Sequence, residues 1–110
     1  MKYLQQNEDF ETMLATYPVL IVNYGVETCG TCHALAHRVD AWLEKHPKAQ
    51  GVYVDIAAHP AIGAQRQILS APTVQVYLNG TCVIEKAGYF SMDEVLAKTA
   101  HLMALAFEEG

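Results

Sequence analysis

The sequence predicts an α/β fold in which helices cover both faces of a central mixed sheet. Three observations predict it: an apolar run at Val19–Tyr24, an apolar helical face that follows Cys29, and an Asn79-Gly80 turn between two strand-like segments. The first two features, with the next strand, build a βαβ unit with parallel strands, and the turn builds an antiparallel hairpin. A sheet of this kind needs helices on each side to bury its apolar faces.

Size and composition limit what the chain can be. It has 110 residues, 52% of them hydrophobic and 17% charged, which suits one domain spanning residues 1–110. Seven basic and twelve acidic residues give a net charge of −5 without a basic stripe, so nucleic acid is not an expected partner. No run approaches the roughly 18 apolar residues of a membrane span, and no signal-peptide core is present at the start. We therefore expect a cytoplasmic protein with no membrane partner.

Most elements carry their own start or stop signals. Asn7, followed by acidic residues that suit a helix N-terminus, predicts a first helix that runs to about Thr16, and Pro18 breaks it. The other predicted elements are a helix from Cys29 to about His46, a strand at Val52–Ile56, a helix at Pro60–Leu69, strands at Thr73–Leu78 and Cys82–Lys86, and a helix behind the capping box Ser91–Glu94.

The three cysteines cannot all pair with one another, and a cytoplasmic thiol is normally reduced, so a structural disulfide framework is the less expected interpretation. Cys29 and Cys32 form a Cys-x-x-Cys pair placed where a strand runs into a helix. Cys82 alternates with Ile84 and Lys86 on one side of a strand, so we expect it to be a buried thiol that packs as a small hydrophobe. The close pair points to redox or metal chemistry.

The position of the pair suits nucleophilic chemistry. Unpaired N–H groups and the positive dipole end at a helix start stabilise a thiolate, and such settings lower a cysteine pKa from ~8.5 to ~3.5–7.5. Cys29 is therefore the expected nucleophile, and Cys32, one helical turn away, is expected to resolve the mixed disulfide. Gly30 removes bulk beside the attacking sulfur and Thr31 offers a hydroxyl, so we expect both to contact the substrate.

The motif order resembles the thioredoxin family over nearly the whole chain: Cys29-Gly30-Thr31-Cys32 after a buried strand, then Ser70-Ala71-Pro72-Thr73, Asn79-Gly80 and Gly88. The resemblance implies a thioredoxin fold and a thiol–disulfide oxidoreductase that reduces protein disulfides and serves cell redox homeostasis. It also implies an upstream thiol reductase as a partner and no cofactor beyond the redox-active disulfide Cys29–Cys32. A cis Ala71–Pro72 bond would face the dithiol, and Ala71 would pair with an extended substrate segment.

Two features depart from the family pattern. Thioredoxins usually carry a buried Asp at the position of Asn23, where it helps move a proton to or from the resolving cysteine, and an amide does not titrate. Thr28 and Thr31 also replace the usual Trp and Pro of the motif. His33 belongs to a residue type that titrates near neutrality, and a solvated first-turn side chain is the plainer interpretation. Asn23 and His33 are the candidate positions of a proton relay.

Three alternatives stay open at this point. Residues 29–33 also match the Cys-x-x-Cys-His of covalent haem attachment, although that motif belongs to exported, mostly helical proteins. Cys29, Cys32, His33 and His37 are zinc-ligand types, although one short segment would surround a metal poorly, and no metal ligand is predicted. The third alternative is a catalytically weak thioredoxin-fold adaptor or redox sensor that binds a partner protein.

Overall fold

A computed structural model describes residues 1–107, and the end of the predicted domain, residues 108–110, lies outside the described residues. The strand order in the sheet is β1-β3-β2-β4-β5, with β1, β3 and β2 parallel and β4 and β5 antiparallel to their neighbours. The predicted mixed sheet is therefore confirmed. Its elements are β1 Lys2–Tyr3, α1 Phe10–Thr16, β2 Val19–Gly25, α2 Gly30–Glu44, β3 Gln50–Asp55, α3 Pro60–Arg66, β4 Thr73–Leu78, β5 Thr81–Ala87 and α4 Met92–Phe107.

Strand β2 lies at the centre of the sheet because both of its faces are apolar. All of its residues are buried. Val22 packs with Leu14 of α1 on one face, whereas Ile21 packs with Val39 of α2 and Leu96 of α4 on the other. Each large apolar side chain buried in this way contributes about 1.5–3 kcal/mol relative to an exposed one. The sheet is therefore covered on both sides, as the fold class predicts.

The beginning of the chain differs from the prediction in two ways. Helix α1 begins at Phe10 because Asp9, rather than Asn7, is its N-cap: the Asp9 carboxylate accepts a hydrogen bond from the Glu11 backbone N–H at 3.0 Å. The preceding segment forms a strand that the sequence does not signal, since Lys2–Tyr3 pairs in parallel with β3 but is too short to show a period.

The position of Cys82 corrects the expectation of a buried thiol. The ladder between β4 and β5 shifts register, so that Val76 pairs with Ile84 whereas Tyr77 pairs with Cys82. Val83 is thus an extra residue, and Cys82 and Ile84 lie on opposite faces of the sheet. Cys82 is exposed, while Ile84 packs in the core. Partial burial of its sulfur still raises the pKa of the Cys82 thiol, which disfavours the reactive thiolate.

Gly25 ends β2 at the point where the sheet meets the start of α2. A Cβ atom on Gly25 would lie 2.1 Å from the Tyr53 hydroxyl oxygen and 2.8 Å from the Cβ of Cys32. The Tyr53 side chain is 1% exposed and Cys32 is 2% exposed, so neither neighbour can move aside into solvent. Only glycine lets the strand pass this closely behind Cys32.

We expect Gly25→Ala to lower the free energy of unfolding by about 1–3 kcal/mol, because overpacking forces rigid neighbours to shift. Gly30→Ala is the matched control, since a Cβ on Gly30 meets nothing within 4 Å. It should leave stability unchanged or raise it by up to about 1 kcal/mol. Urea unfolding of both oxidised variants measures the difference, and equal stabilities would contradict the role given to Gly25.

Candidate active site

Cys29 and Cys32 lie at the N-terminus of α2 and are joined by a disulfide, with their Cα atoms 5.2 Å apart. Cys29 is the N-cap residue, and its Sγ accepts a hydrogen bond from the Cys32 backbone N–H at 3.1 Å. The first turn of α2 contains no acidic residue. The Cys29 sulfur therefore meets the positive end of the helix without a competing carboxylate in that turn.

The two sulfurs differ in accessibility. Cys32 is 2% exposed and packs against Ala36 and Tyr53, whereas Cys29 is only half-buried. Gly30 and Thr31, the two residues between the cysteines, are both exposed. A partner can therefore reach the site from the side of Cys29 and the two intervening residues.

The loop before β4 lies beside the dithiol. The Ala71–Pro72 peptide bond is cis, as the resemblance implies, and Ala71 packs against the cluster that contains Cys32. The Gly88 backbone N–H donates to the Pro72 carbonyl at 3.1 Å, which fixes the loop from the side of β5. Within residues 1–107, neither backbone polar group of Ala71 has a hydrogen-bond partner. An extended segment could therefore pair with this residue.

Asn23 lies in β2 and is 4% exposed. Its amide nitrogen donates a hydrogen bond to the Met1 Sδ at 3.3 Å. The Met1 side chain is 1% exposed and packs against the cluster formed by Cys32, Ala36 and Tyr53. Neither an amide nor a thioether exchanges a proton near neutral pH. The sequence gives no signal for the Met1 contact, because no motif links the two positions.

His33 follows Cys32 and uses both of its ring nitrogens for partners other than the cysteines. Its Nε2 donates to the Glu27 carbonyl at 2.8 Å, and its Nδ1 lies 3.3 Å from the Tyr3 hydroxyl oxygen. The ring is parallel to that of Tyr53, with 5.5 Å between the centroids. In this arrangement the His33 ring is bound to the loop before Cys29 and to β1.

Two further findings concern metals and membranes. Residues 1–107 contain no group of three or more His, Cys, Asp or Glu side chains placed to hold a metal ion. Of the four residues considered as a zinc set, Cys29 and Cys32 are disulfide-bonded and His33 hydrogen-bonds elsewhere. In the same part of the chain, no helix has the length and apolar character needed to cross a membrane.

Comparison with known proteins decides the family. A profile of the thioredoxin family matches residues 2–101. The chain belongs to the thioredoxin family. It is 32% identical over 89 residues to thioredoxin-3 of Dictyostelium discoideum, a match that covers 78% of this chain and 82% of that relative. It is also 26% identical over 85 residues to thioredoxin-2 of Pyricularia oryzae, with 77% of this chain matched to 50% of that longer protein.

The fold agrees with solved thioredoxin structures. The structure of Plasmodium falciparum thioredoxin is similar to this chain with a TM-score of 0.80 and 23% identity, covering 89% of this chain and 98% of the other. Thioredoxins are thiol–disulfide oxidoreductases that act on protein disulfides, and this thioredoxin-family chain holds a disulfide-bonded Cys29–Cys32 pair. The predicted thioredoxin fold, family and enzyme class are therefore confirmed.

Three buried tyrosines make the stability of the chain sensitive to alkaline pH. Burial raises the pKa of Tyr53, which packs on Cys32, to about 12, and burial also raises the pKa values of Tyr24 and Tyr77. An unfolded chain releases these protons near pH ~10, whereas the folded chain keeps them to higher pH. The contribution to stability is thus fully present below about pH 10 and is lost as the pH rises through the folded pKa values.

We expect the free energy of unfolding to fall between about pH 10 and 12, and Tyr53→Phe to make that fall shallower because one of the linked protons is removed. Tyr89→Phe is the control, since the Tyr89 side chain is fully exposed, and it should keep the unmutated slope. Urea unfolding at a series of pH values measures the free energy of unfolding of each variant. The linkage is disproved for Tyr53 if the free energy of unfolding falls with the same slope against pH in Tyr53→Phe and in the control.

Proposed function

We propose that this chain reduces protein disulfides, with Cys29 as the attacking sulfur and Cys32 as the resolving sulfur. The contrast between the two sulfurs carries the proposal. Cys29 is half-buried at a helix N-terminus, where its Sγ accepts a backbone N–H, whereas Cys32 is 2% exposed. The helix terminus stabilises negative charge on Cys29, and only an accessible thiolate can reach a disulfide in another protein.

The cycle starts from the dithiol. The Cys29 thiolate attacks one sulfur of a partner's disulfide, forms a Cys29–partner disulfide and releases the other partner sulfur as a thiolate. Cys32 then loses its proton and attacks the Cys29 sulfur, which expels the second partner thiolate and forms the Cys29–Cys32 disulfide. Two electrons pass to the partner. An upstream thiol reductase returns the chain to the dithiol, and no cofactor beyond this disulfide is needed.

The substrate segment would lie against the cis-proline loop. Ala71 supports this placement, because its backbone N–H and C=O have no partner within the described residues. Pro72 shapes the loop, and Gly30 and Thr31 leave the approach to Cys29 open. Pairing through the main chain depends little on sequence, so one loop can accept many partner proteins.

We place this reaction in the cytoplasm, as part of cell redox homeostasis. Cysteine usage supports this placement: outside the Cys29–Cys32 pair the chain has one cysteine, Cys82, and it is unpaired. Thiols outside catalytic pairs normally stay reduced in that compartment. Residues 1–110 would act there as one domain, without a nucleic acid or membrane partner.

An adaptor or redox-sensing role is the second candidate. The contact between Asn23 and Met1 favours it, since neither side chain can exchange the proton that Cys32 must lose near neutral pH. Such a protein would bind partners without efficient turnover. Insulin reduction by the unmutated chain with a thiol donor distinguishes the two roles.

We expect Cys29→Ser to abolish insulin reduction because the nucleophile is lost. Cys32→Ser should accumulate mixed disulfides with protein substrates, visible as adducts that a reductant removes. Cys82→Ser is the control and should keep full activity, since this exposed thiol lies outside the site. Turnover of Cys29→Ser at the unmutated rate would rule out the mechanism.

We expect Asn23→Asp to speed the resolving step and to destabilise the fold. The position is 4% exposed, so burial would raise the pKa of the new carboxyl toward neutrality, where it can accept a proton from Cys32. An incompletely paired polar group there costs about 1–3 kcal/mol. Asn23→Ala is the control, which should lose stability without a gain in rate. Insulin turnover and urea unfolding test both parts, and equal turnover of the two variants would refute the expectation.

A further inference from the structure

Three aromatic rings from three elements stack beside the dithiol. Tyr3 of β1 stacks on Tyr53 of β3 with 4.5 Å between the centroids and 24° between the planes. His33 of α2 also lies parallel to the Tyr53 ring, at 5.5 Å and 2°. We call Tyr3, Tyr53 and His33 the ring stack. Tyr53 is buried in the cluster that contains Cys32, so the stack begins at the resolving cysteine.

The ring stack holds two consecutive carbonyl groups of the segment that leads into Cys29. The Tyr53 hydroxyl donates to the Val26 carbonyl at 3.2 Å, and the His33 Nε2 donates to the Glu27 carbonyl at 2.8 Å. The Cys29 backbone N–H donates to the same Val26 carbonyl at 3.1 Å. The position of Cys29 is therefore tied to side chains of β3 and α2.

The hydrogen bond to the Glu27 carbonyl requires a proton on one nitrogen of the His33 ring. A carbonyl oxygen only accepts, so Nε2 carries a proton, and in the neutral ring Nδ1 accepts from the Tyr3 hydroxyl. Tyr3 thus orients the ring that holds Glu27. Because both nitrogens are occupied, the side chain holds the segment rather than facing the sulfurs.

We propose that His33 and Tyr3 are positioning residues that hold residues 26–28 so that Cys29 stays beside Cys32, and that they thereby make the disulfide harder to reduce. The proposal rests on the proposed function only in that the pair cycles between dithiol and disulfide. A fixed segment keeps the two thiols at a high effective concentration after reduction, which favours reclosure. A loosened segment gains conformational freedom when the disulfide is reduced, which favours the dithiol over the disulfide.

The test is the equilibrium of the pair with a glutathione redox series. His33→Phe keeps a ring that can stack and loses both hydrogen bonds, so we expect its equilibrium constant for disulfide formation to fall about tenfold, or about 30 mV. Tyr3→Phe loses only a hydroxyl on a half-exposed side chain and should shift the constant about threefold in the same direction. His37→Phe, an exposed control on the same helix, should stay within twofold.

Thermal unfolding of the oxidised and reduced forms separates positioning from general destabilisation. Positioning predicts that His33→Phe lowers the Tm of the oxidised form more than that of the reduced form. An unchanged equilibrium constant in both variants, or equal losses of Tm in both forms, would overturn the proposal. If His33→Phe does not fold, the equilibrium constant of Tyr3→Phe still tests the proposal. Insulin turnover by the unmutated chain is measured separately. Failure of the proposed function is therefore distinguishable from failure of the proposal that His33 and Tyr3 position Cys29.

Discussion

The hydrogen bond from the Cys32 N–H to the Cys29 sulfur, 3.1 Å long, is the interaction on which the site depends. It exists because α2 begins at Gly30, the residue after Cys29. The start of α2 is fixed in turn by its buried face, where Val39 packs on β2, and by the close passage of Gly25 behind Cys32. A helix terminus stabilises an anion only within its first turn, so a helix that began elsewhere would leave the sulfur an ordinary thiol.

The sheet register explains why the dithiol and the cis-proline loop meet. Because β2 and β4 are antiparallel and Tyr24 pairs with Thr73, the end of β2 lies next to the start of β4. Thr73 also pairs with Ala87, which brings the link after β5 to the same edge and lets the next residue bond Pro72. Three segments that are far apart in sequence therefore form one surface around Cys29.

Local signals were sufficient for most of the fold. The apolar run of β2, the cysteine start of α2 and the Asn79-Gly80 hairpin each depend on a few neighbouring residues, and the structure contains all three. The features that the sequence did not reveal depend on distant partners. The face of Cys82 follows from a register shift between two strands, and Met1 and Tyr3 meet Asn23 and His33 only after β1 joins the sheet. No periodicity or motif encodes such contacts.

The amide at Asn23 changes how protons can move in the proposed cycle. A buried carboxyl there would carry a desolvation cost, whereas the amide satisfies its donor on the Met1 sulfur and stays neutral at every physiological pH. The contact between the Asn23 amide and the Met1 thioether thus places two uncharged side chains where the family usually has a titrating carboxyl. We expect the proton that Cys32 loses to leave by another route, and Gly30 and Thr31 between the two cysteines are open to solvent. Resolution would accordingly depend on how a bound partner covers that opening, which ties the rate of the second step to the fit of the substrate.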